Sequence, residues 1–173
     1  MRHAISVLLE NEVGALTRLT GMFSSRGYNI ETLNVAPTYD SRVSRVTLVV
    51  SGSDAAIAQL NAQLAKLVDV VNIHDMTLGE HFERELAIVK VKLNTGDLDK
   101  AADVARRFDA EMLDEDTNRC TMQLTGPVAE IDDFVAETAK VGEISAVARS
   151  GTVAVSKGEV TLTSFDRQHL LVG

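Results

Sequence analysis

The apolar positions of the chain alternate between two spacings, one of two residues and one of three to four, in an order that occurs twice. Residues 4–10 alternate Ile5, Val7 and Leu9 with Ala4, Ser6 and Leu8, which predicts a mostly buried strand. Over residues 14–25, Leu16, Leu19, Met22 and Phe23 recur at helical spacing and share one face. Gly27 stops that helix, and residues 28–36 and 43–50 read as strands on either side of a turn holding Pro37 and Asp40. Ser53 or Asp54 caps a second helix that buries Ile57, Leu60, Leu64 and Leu67, and residues 68–78 close the set as a strand. The order is βαββαβ.

After a polar stretch, residues 79–84, that serves as a linker, the same order returns in different residues. Residues 86–93 form a strand, and residues 97–108 a helix with Leu98, Ala101, Ala105 and Phe108 inward. A weak strand at 110–114, a turn at 116–118 and a strand at 120–125 follow. A helix opening at Pro127 carries Val128, Ile131, Phe134 and Val135 on one face, and a strand spans 144–155. The expected fold class is therefore α+β, with two ferredoxin-like βαββαβ domains, each a four-stranded antiparallel sheet with two helices on one face. The domain limits expected are 1–79 and 85–158, with a linker at 80–84 and a tail or extra edge strand at 159–173. Strand residues of both parities are apolar, Val46, Leu48 and Val50 as well as Val43 and Val49, so the uncovered face or an edge should also meet protein. That pattern predicts oligomerisation through the sheet.

Composition narrows the function. The 173 residues are 45% hydrophobic and 24% charged with two prolines, and the mean hydropathy is near zero, as expected of a globular chain that buries a core. The net charge of −8 is interspersed and forms no basic stripe, which argues against nucleic acid as a partner. No run approaches the roughly 18 apolar residues that span a bilayer, and the N-terminus has no cleavage-site pattern, so a cytoplasmic, unprocessed protein without a membrane partner is expected. Cys120, the single cysteine, reads as a small core residue. His3, His74, His81 and His169 are scattered and predict no metal site, and neither a Walker loop nor G-x-G-x-x-G is present. The pairs Glu10/Glu12 and Asp97/Asp99 lie at element ends, where carboxylates are commonly solvated, so no catalytic residue is assigned.

The informative stretch is residues 8–37. Asn11, Glu12, Val13 and Gly14 end the first strand and stand directly before the first helix. A helix start presents unpaired N–H groups and partial positive charge, and so can receive a carboxylate. Gly14 allows close approach to the backbone, and Asn11 carries both an acceptor and a donor, suiting a zwitterion. The same loop is also an ordinary strand-to-helix turn with a capping side chain. Asn29, inside an otherwise apolar strand start, needs a hydrogen-bond partner if it is covered.

Residues 8–16 with Arg26, Gly27, Tyr28, Asn29 and Ile30 resemble an ACT domain, an amino-acid-sensing βαββαβ module. More narrowly, SVLLENEVGAL, FSSRGYNIETLNVAPT, the pair Ser44 and Arg45, QLAKLVDVVNI and ARSG at 148–151 resemble the regulatory small subunit of acetohydroxyacid synthase (acetolactate synthase). The likeness covers about residues 2–158. It implies a non-catalytic subunit of branched-chain amino acid biosynthesis whose first domain is the ACT domain. Such a subunit pairs through its ACT domains as a homodimer, binds valine (or leucine or isoleucine) at their interface, activates the catalytic large subunit and confers allosteric feedback inhibition on it. No cofactor is implied for this chain; thiamine diphosphate, magnesium and FAD belong to the catalytic partner. Carried onto this sequence, Asn11, Glu12, Val13, Gly14, Ala15 and Leu16 of one copy hold the amino acid, while Asn29 and Ile30 of the other close the site. Val13, Leu16, Ile30, Leu33 and Val35 are candidate walls, and Ala36 and Gln59 candidate neighbours. The second domain has Asn94, Thr95, Gly96 and Asp97 at the equivalent loop, and the Asp97 carboxylate would repel a ligand carboxylate, so sensing is expected in the first domain and partner contact mainly in the second.

Three other classes compete. One is an ACT-type regulator of a different biosynthetic enzyme. A small enzyme of acylphosphatase type would want an arginine in the first loop, where ENEVG stands, with none until Arg18. An RNA-binding domain of this topology needs strand aromatics, and the first and third strands have none.

Overall fold

The computed structural model describes residues 1–159 and 161–163. Fourteen elements run β1 (Arg2–Glu10), α1 (Ala15–Ser25), β2 (Ile30–Pro37), β3 (Val43–Ser51), α2 (Asp54–Leu64), β4 (Val70–Asp75), a 3₁₀ turn (Met76–Leu78), β5 (His81–Leu93), α3 (Leu98–Phe108), β6 (Glu111–Asp116), β7 (Arg119–Gly126), α4 (Val128–Ala139), β8 (Gly142–Arg149) and β9 (Val153–Ser156). Two compact units result, Met1–Phe82 with Thr152–Gly173, and Glu83–Gly151. Among the described residues no helix is long and apolar enough to cross a membrane.

In the first unit the antiparallel sheet has the order β2-β3-β1-β4. β1 lies between β3 and β4, with Ile5 opposite Leu48 and Val7 opposite both Val46 and Ile73. The helices pack on the face formed by Ile5, Val7, Leu9, Val46, Leu48 and Val50, where Leu19 and Phe23 of α1 and Ile57, Leu60 and Leu64 of α2 complete the core. Ser53 caps α2, its hydroxyl accepting from the Ala56 amide at 3.3 Å. Leu16, expected inward from the helical period, is instead exposed, while its neighbour Ala15 in the first turn is the buried residue.

The opposite face accounts for the two apolar parities. Ala4 and Val49 are buried with Met76 and with Ala154 of β9, and Leu8, Val43 and Val71 pack with Leu162. Ala154 and Leu162 therefore cover parts of the sheet face that, with the edge, was expected to meet another protein surface. Polar ties hold them there: Arg2 Nη2 donates to Thr152 Oγ1 (3.4 Å), the Lys157 amide to the Glu80 carbonyl (2.9 Å), and Asn72 Nδ2 to the Thr163 carbonyl (3.1 Å).

The second unit carries the order β6-β7-β5-β8. Its core holds Val89, Val91, Met122, Ile131 and Phe134, and the Phe108 and Phe134 rings meet edge to face at 5.6 Å. Cys120 is buried there, and burial, reinforced by Glu115 and Asp114, pushes its thiol pKa up. Glu85, fully buried, is held by a bidentate ion pair from Arg149 Nε and Nη2 (3.0 and 2.7 Å), and Arg149 also reaches Asp132. Two expectations change here. His81 to Arg84, read as linker, already belong to β5. The strand expected over 144–155 is two strands, because the chain turns at Gly151 (φ 73°) between β8 and β9. Of the tail expected at 159–173, residues 160 and 164–173 lie outside the described residues, and residues 161–163 form no strand.

Candidate effector site

The loop between β1 and α1 is tied to the β2–β3 turn. The Asn11 amide donates to the Arg42 carbonyl at 2.7 Å and Asn11 Nδ2 to the Ser41 carbonyl at 3.1 Å, so the donor half of its side chain is already used. The Oδ1 acceptor is the half left for an ammonium group. Gly14 is the N-cap of α1 in the left-handed region (φ 86°), without a side-chain cap, so no side chain competes for the first-turn amides of this helix. Glu12 is exposed, Val13 is 98% exposed and Ala15 is buried in the core.

A cation stands at this helix start that the sequence reading did not include. The Arg18 side chain folds back so that a Cβ built on Gly14 would lie 2.8 Å from Arg18 Nη1. Arg18 is held in turn by Asp69, which accepts from Nε and Nη2 at 2.7 Å each. The hydrogen bonds from Arg18 draw the Asp69 carboxyl below its ordinary range despite partial desolvation. Arg18 was legible as a helix residue, but its partner lies 51 positions away and no local spacing announces it.

Within one chain the candidate residues divide into two groups. Asn11 to Leu16 and Ala36 lie toward the end of the sheet where β1 finishes and β3 begins; Ala36 is opposite Arg45, which is opposite Leu8. Asn29 and Ile30 lie at the other end of β2, with Ile30 opposite Val50. Seven strand steps of about 3.3 Å separate the ends of β2 by roughly 23 Å. Gln59 is exposed on α2, beside Tyr28, in a hollow that Arg26 and Gln63 also line. Asn29 is exposed, so no buried amide demands a partner within this chain.

Among the described strands β2 is the outermost of its sheet, next to β3. Leu33 and Val35 stand opposite Leu48 and Val46, hence on the helix-bearing face, yet remain 37% and 41% exposed because the two helices do not reach this edge. An apolar edge of this kind is a template for pairing. In the second unit the corresponding helix start carries a carboxylate: Asp97 stands at the N-cap position of α3 without a side-chain capping bond and pairs with Lys100 at 2.7 Å and Asn94 Nδ2 at 3.3 Å, which lowers its carboxyl pKa and keeps it anionic. Among the described residues no cluster of His, Cys, Asp and Glu is arranged to hold a metal.

Comparison with known proteins matches two stretches of the chain separately. Residues 5–72 match the family described as the AHAS small subunit-like ACT domain, and residues 84–158 the family described as the small subunit of acetolactate synthase. The acetolactate synthase isozyme 3 small subunit of Escherichia coli K12 is 42% identical over 159 residues, covering 92% of this chain and 98% of that protein. The acetolactate synthase small subunit of Mycolicibacterium smegmatis is 34% identical over 156 residues, covering 90% and 91% of the two chains. The crystal structure of the acetolactate synthase small subunit from Thermotoga maritima superposes with a TM-score of 0.83 at 26% identity, over 92% of this chain and 99% of that one. The ACT-type first unit, the second unit that matches the small-subunit family and identity above one third across nine-tenths of the sequence establish that this chain belongs to the acetolactate synthase small-subunit family, whose members are regulatory and not themselves the catalyst.

Proposed function

We propose that this chain senses a branched-chain amino acid, valine first among them, at a site shared by two copies, and passes feedback inhibition to a catalytic acetolactate synthase subunit. The observation that carries this reading is that β2 is the outer strand of the described sheet, with exposed apolar Leu33 and Val35 and the two groups of candidate residues at its opposite ends. When two identical β2 edges pair antiparallel about a two-fold axis, the start of one strand lies beside the end of the other. Asn29 and Ile30 of one copy then approach residues 11–16 of its partner, a meeting that a single chain does not allow.

In that shared site the first-turn amides of α1 beyond Ala15, whose N–H already donates to the Glu12 carbonyl at 3.2 Å, receive the carboxylate with Arg18 beside Gly14. Asn11 Oδ1 and the amide of the other copy's Asn29 complete the polar contacts. Val13, Leu16, Leu33 and Val35, all exposed in one chain, become walls for a branched side chain. Glu12 and Ala15 shape the loop, and Ala36 and Gln59 border it. Burying these surfaces only in the pair makes binding and pairing linked equilibria, and a coupling of about 1–3 kcal/mol suffices for a 5- to 150-fold regulatory effect. The second unit, whose equivalent helix start carries ionised Asp97, is left for contact with the catalytic subunit. Its thiamine diphosphate, magnesium and FAD reside in that partner.

The test joins sedimentation equilibrium with calorimetric titration of valine, leucine, isoleucine and glutamate into the purified chain. A dimer that binds the aliphatic amino acids and not glutamate is the expected result. A strict monomer that releases no heat with any aliphatic amino acid refutes the reading.

A further inference from the structure

A second cavity lies in the first unit, on the sheet face opposite the helices. It encloses about 660 Å³ and is lined by Leu8, Val43 and Leu162 as apolar walls, by the β2–β3 turn, and by Arg45. Leu8, Val43 and Arg45 have the strand parity opposite to the helix-covered residues, so this space is distinct from the helix-start loop.

Arg45 is the group without an explanation. It is half-buried, and its Nη1 donates to Ser6 Oγ at 3.1 Å. Among the described residues it makes no ion pair. The carboxylate closest to hand in the lining, Asp40, is committed elsewhere: the Arg42 amide, Nε and Nη2 donate to it at 3.0, 3.0 and 2.7 Å and hold its pKa at about 2. Burial with no compensating anion pushes the Arg45 pKa down from its ordinary value. A guanidinium offers five N–H donors in a planar fork that matches a carboxylate, and a partly desolvated one is costly until an anion meets it. Among the described residues Arg45 is the only cation lining the space, which matches a single negative charge and not the multiple charges of a nucleotide.

We infer that this cavity binds a small organic monocarboxylate with an aliphatic body, its carboxylate on the Arg45 fork and its body against Leu8, Val43 and Leu162. The assignment is independent of the amino-acid reading above, since it uses the other face of the sheet. Leu162 makes the site partly a property of the returning segment, which Asn72 anchors through the Thr163 carbonyl.

The experiment titrates the full chain with 3-methylbutanoate, with 3-methylbutanol as its uncharged counterpart and with inorganic phosphate as an anion lacking the body. The carboxylate is expected to bind best. Arg45→Gln, with unchanged circular dichroism, is expected to weaken it roughly 10- to 100-fold, the range for a lost hydrogen bond to a charged group. Leu162→Ala, outside the sheet, serves as the second variant and is expected to weaken it severalfold. Because 3-methylbutanoate also resembles valine without its amine, Gly14→Asp is run in parallel and is expected to leave it bound. Equal binding of the alcohol or of phosphate, no binding of 3-methylbutanoate, retention in Arg45→Gln, or loss in Gly14→Asp with retention in Arg45→Gln each overturns the inference.

Discussion

Replacing Gly14 by Asp separates the electrostatic account of the effector loop from a merely conformational one. Gly14 has φ 86°, a region where residues with a Cβ are strained by roughly 1–2 kcal/mol, with Asp toward the lower end. The new Cβ meets Arg18 Nη1 at 2.8 Å, but that is the end of a flexible side chain and can move. The added carboxylate then stands about 4 Å from where a ligand carboxylate would sit on the first-turn amides. Two unit charges at that separation repel by about 4 kcal/mol at an effective dielectric of ~20. Arg18, already shared with Asp69, offsets part of this, leaving roughly 2–4 kcal/mol, or about 30- to 1000-fold in valine affinity. Gly14→Ala carries at least as much strain and the same Cβ contact without the charge. Calorimetry with valine should show the large loss only in Gly14→Asp, while thermal unfolding drops by a similar few degrees in both variants. Equal affinity losses in the two variants, or Gly14→Asp binding valine within about threefold of the parent, would refute the reasoning.

Asn29→Ala should weaken valine binding by about 1–3 kcal/mol in calorimetry while leaving thermal stability of the chain unchanged, since Asn29 is exposed. Leu33→Lys puts a charge on the β2 edge and should shift sedimentation toward monomer and lower valine affinity together. Asp69→Asn tests the clamp on Arg18. The folded-state pKa of Asp69 lies below its ordinary 3.8, so its stabilisation is present above that value and fades as pH falls through the lower one. The gap in unfolding midpoint between parent and variant should therefore be wide at pH 7 and narrow at pH 3. Glu85→Ala removes the buried partner of Arg149 and should cost the second unit about 3 kcal/mol, the low end for a broken buried pair, because Arg149 keeps Asp132 and is partly reached by water; differential calorimetry reads this directly.

The fold was largely written in local pattern. Leu19 and Phe23, Ile57, Leu60 and Leu64, and Ile131 and Phe134 fall inward where their spacing says, and Gly14 and Ser53 mark helix starts. What escaped depended on distant partners. Glu85 was unremarkable in sequence because its buried charge is answered by Arg149, 64 residues on. The alternation of residues 81–84 with Glu85 is strand-like, yet the polar side chains disguised it as a linker. Val43 and Val49 announced a covered second face, but not that Leu162 and Ala154 of the same chain would cover parts of it. The loop at Gly14 was visible, whereas Arg18 joined it only through the fold.

The returning segment has a practical consequence for anyone wishing to isolate the sensing half. The first unit is discontinuous in sequence, with the second inserted between Phe82 and Thr152. A fragment cut after the first βαββαβ set would leave Ala4, Val49, Leu8 and Val43 facing water and invite aggregation. Splicing residue 82 to residue 152 through a short glycine-serine bridge keeps Ala154 and Leu162 over the apolar residues they cover.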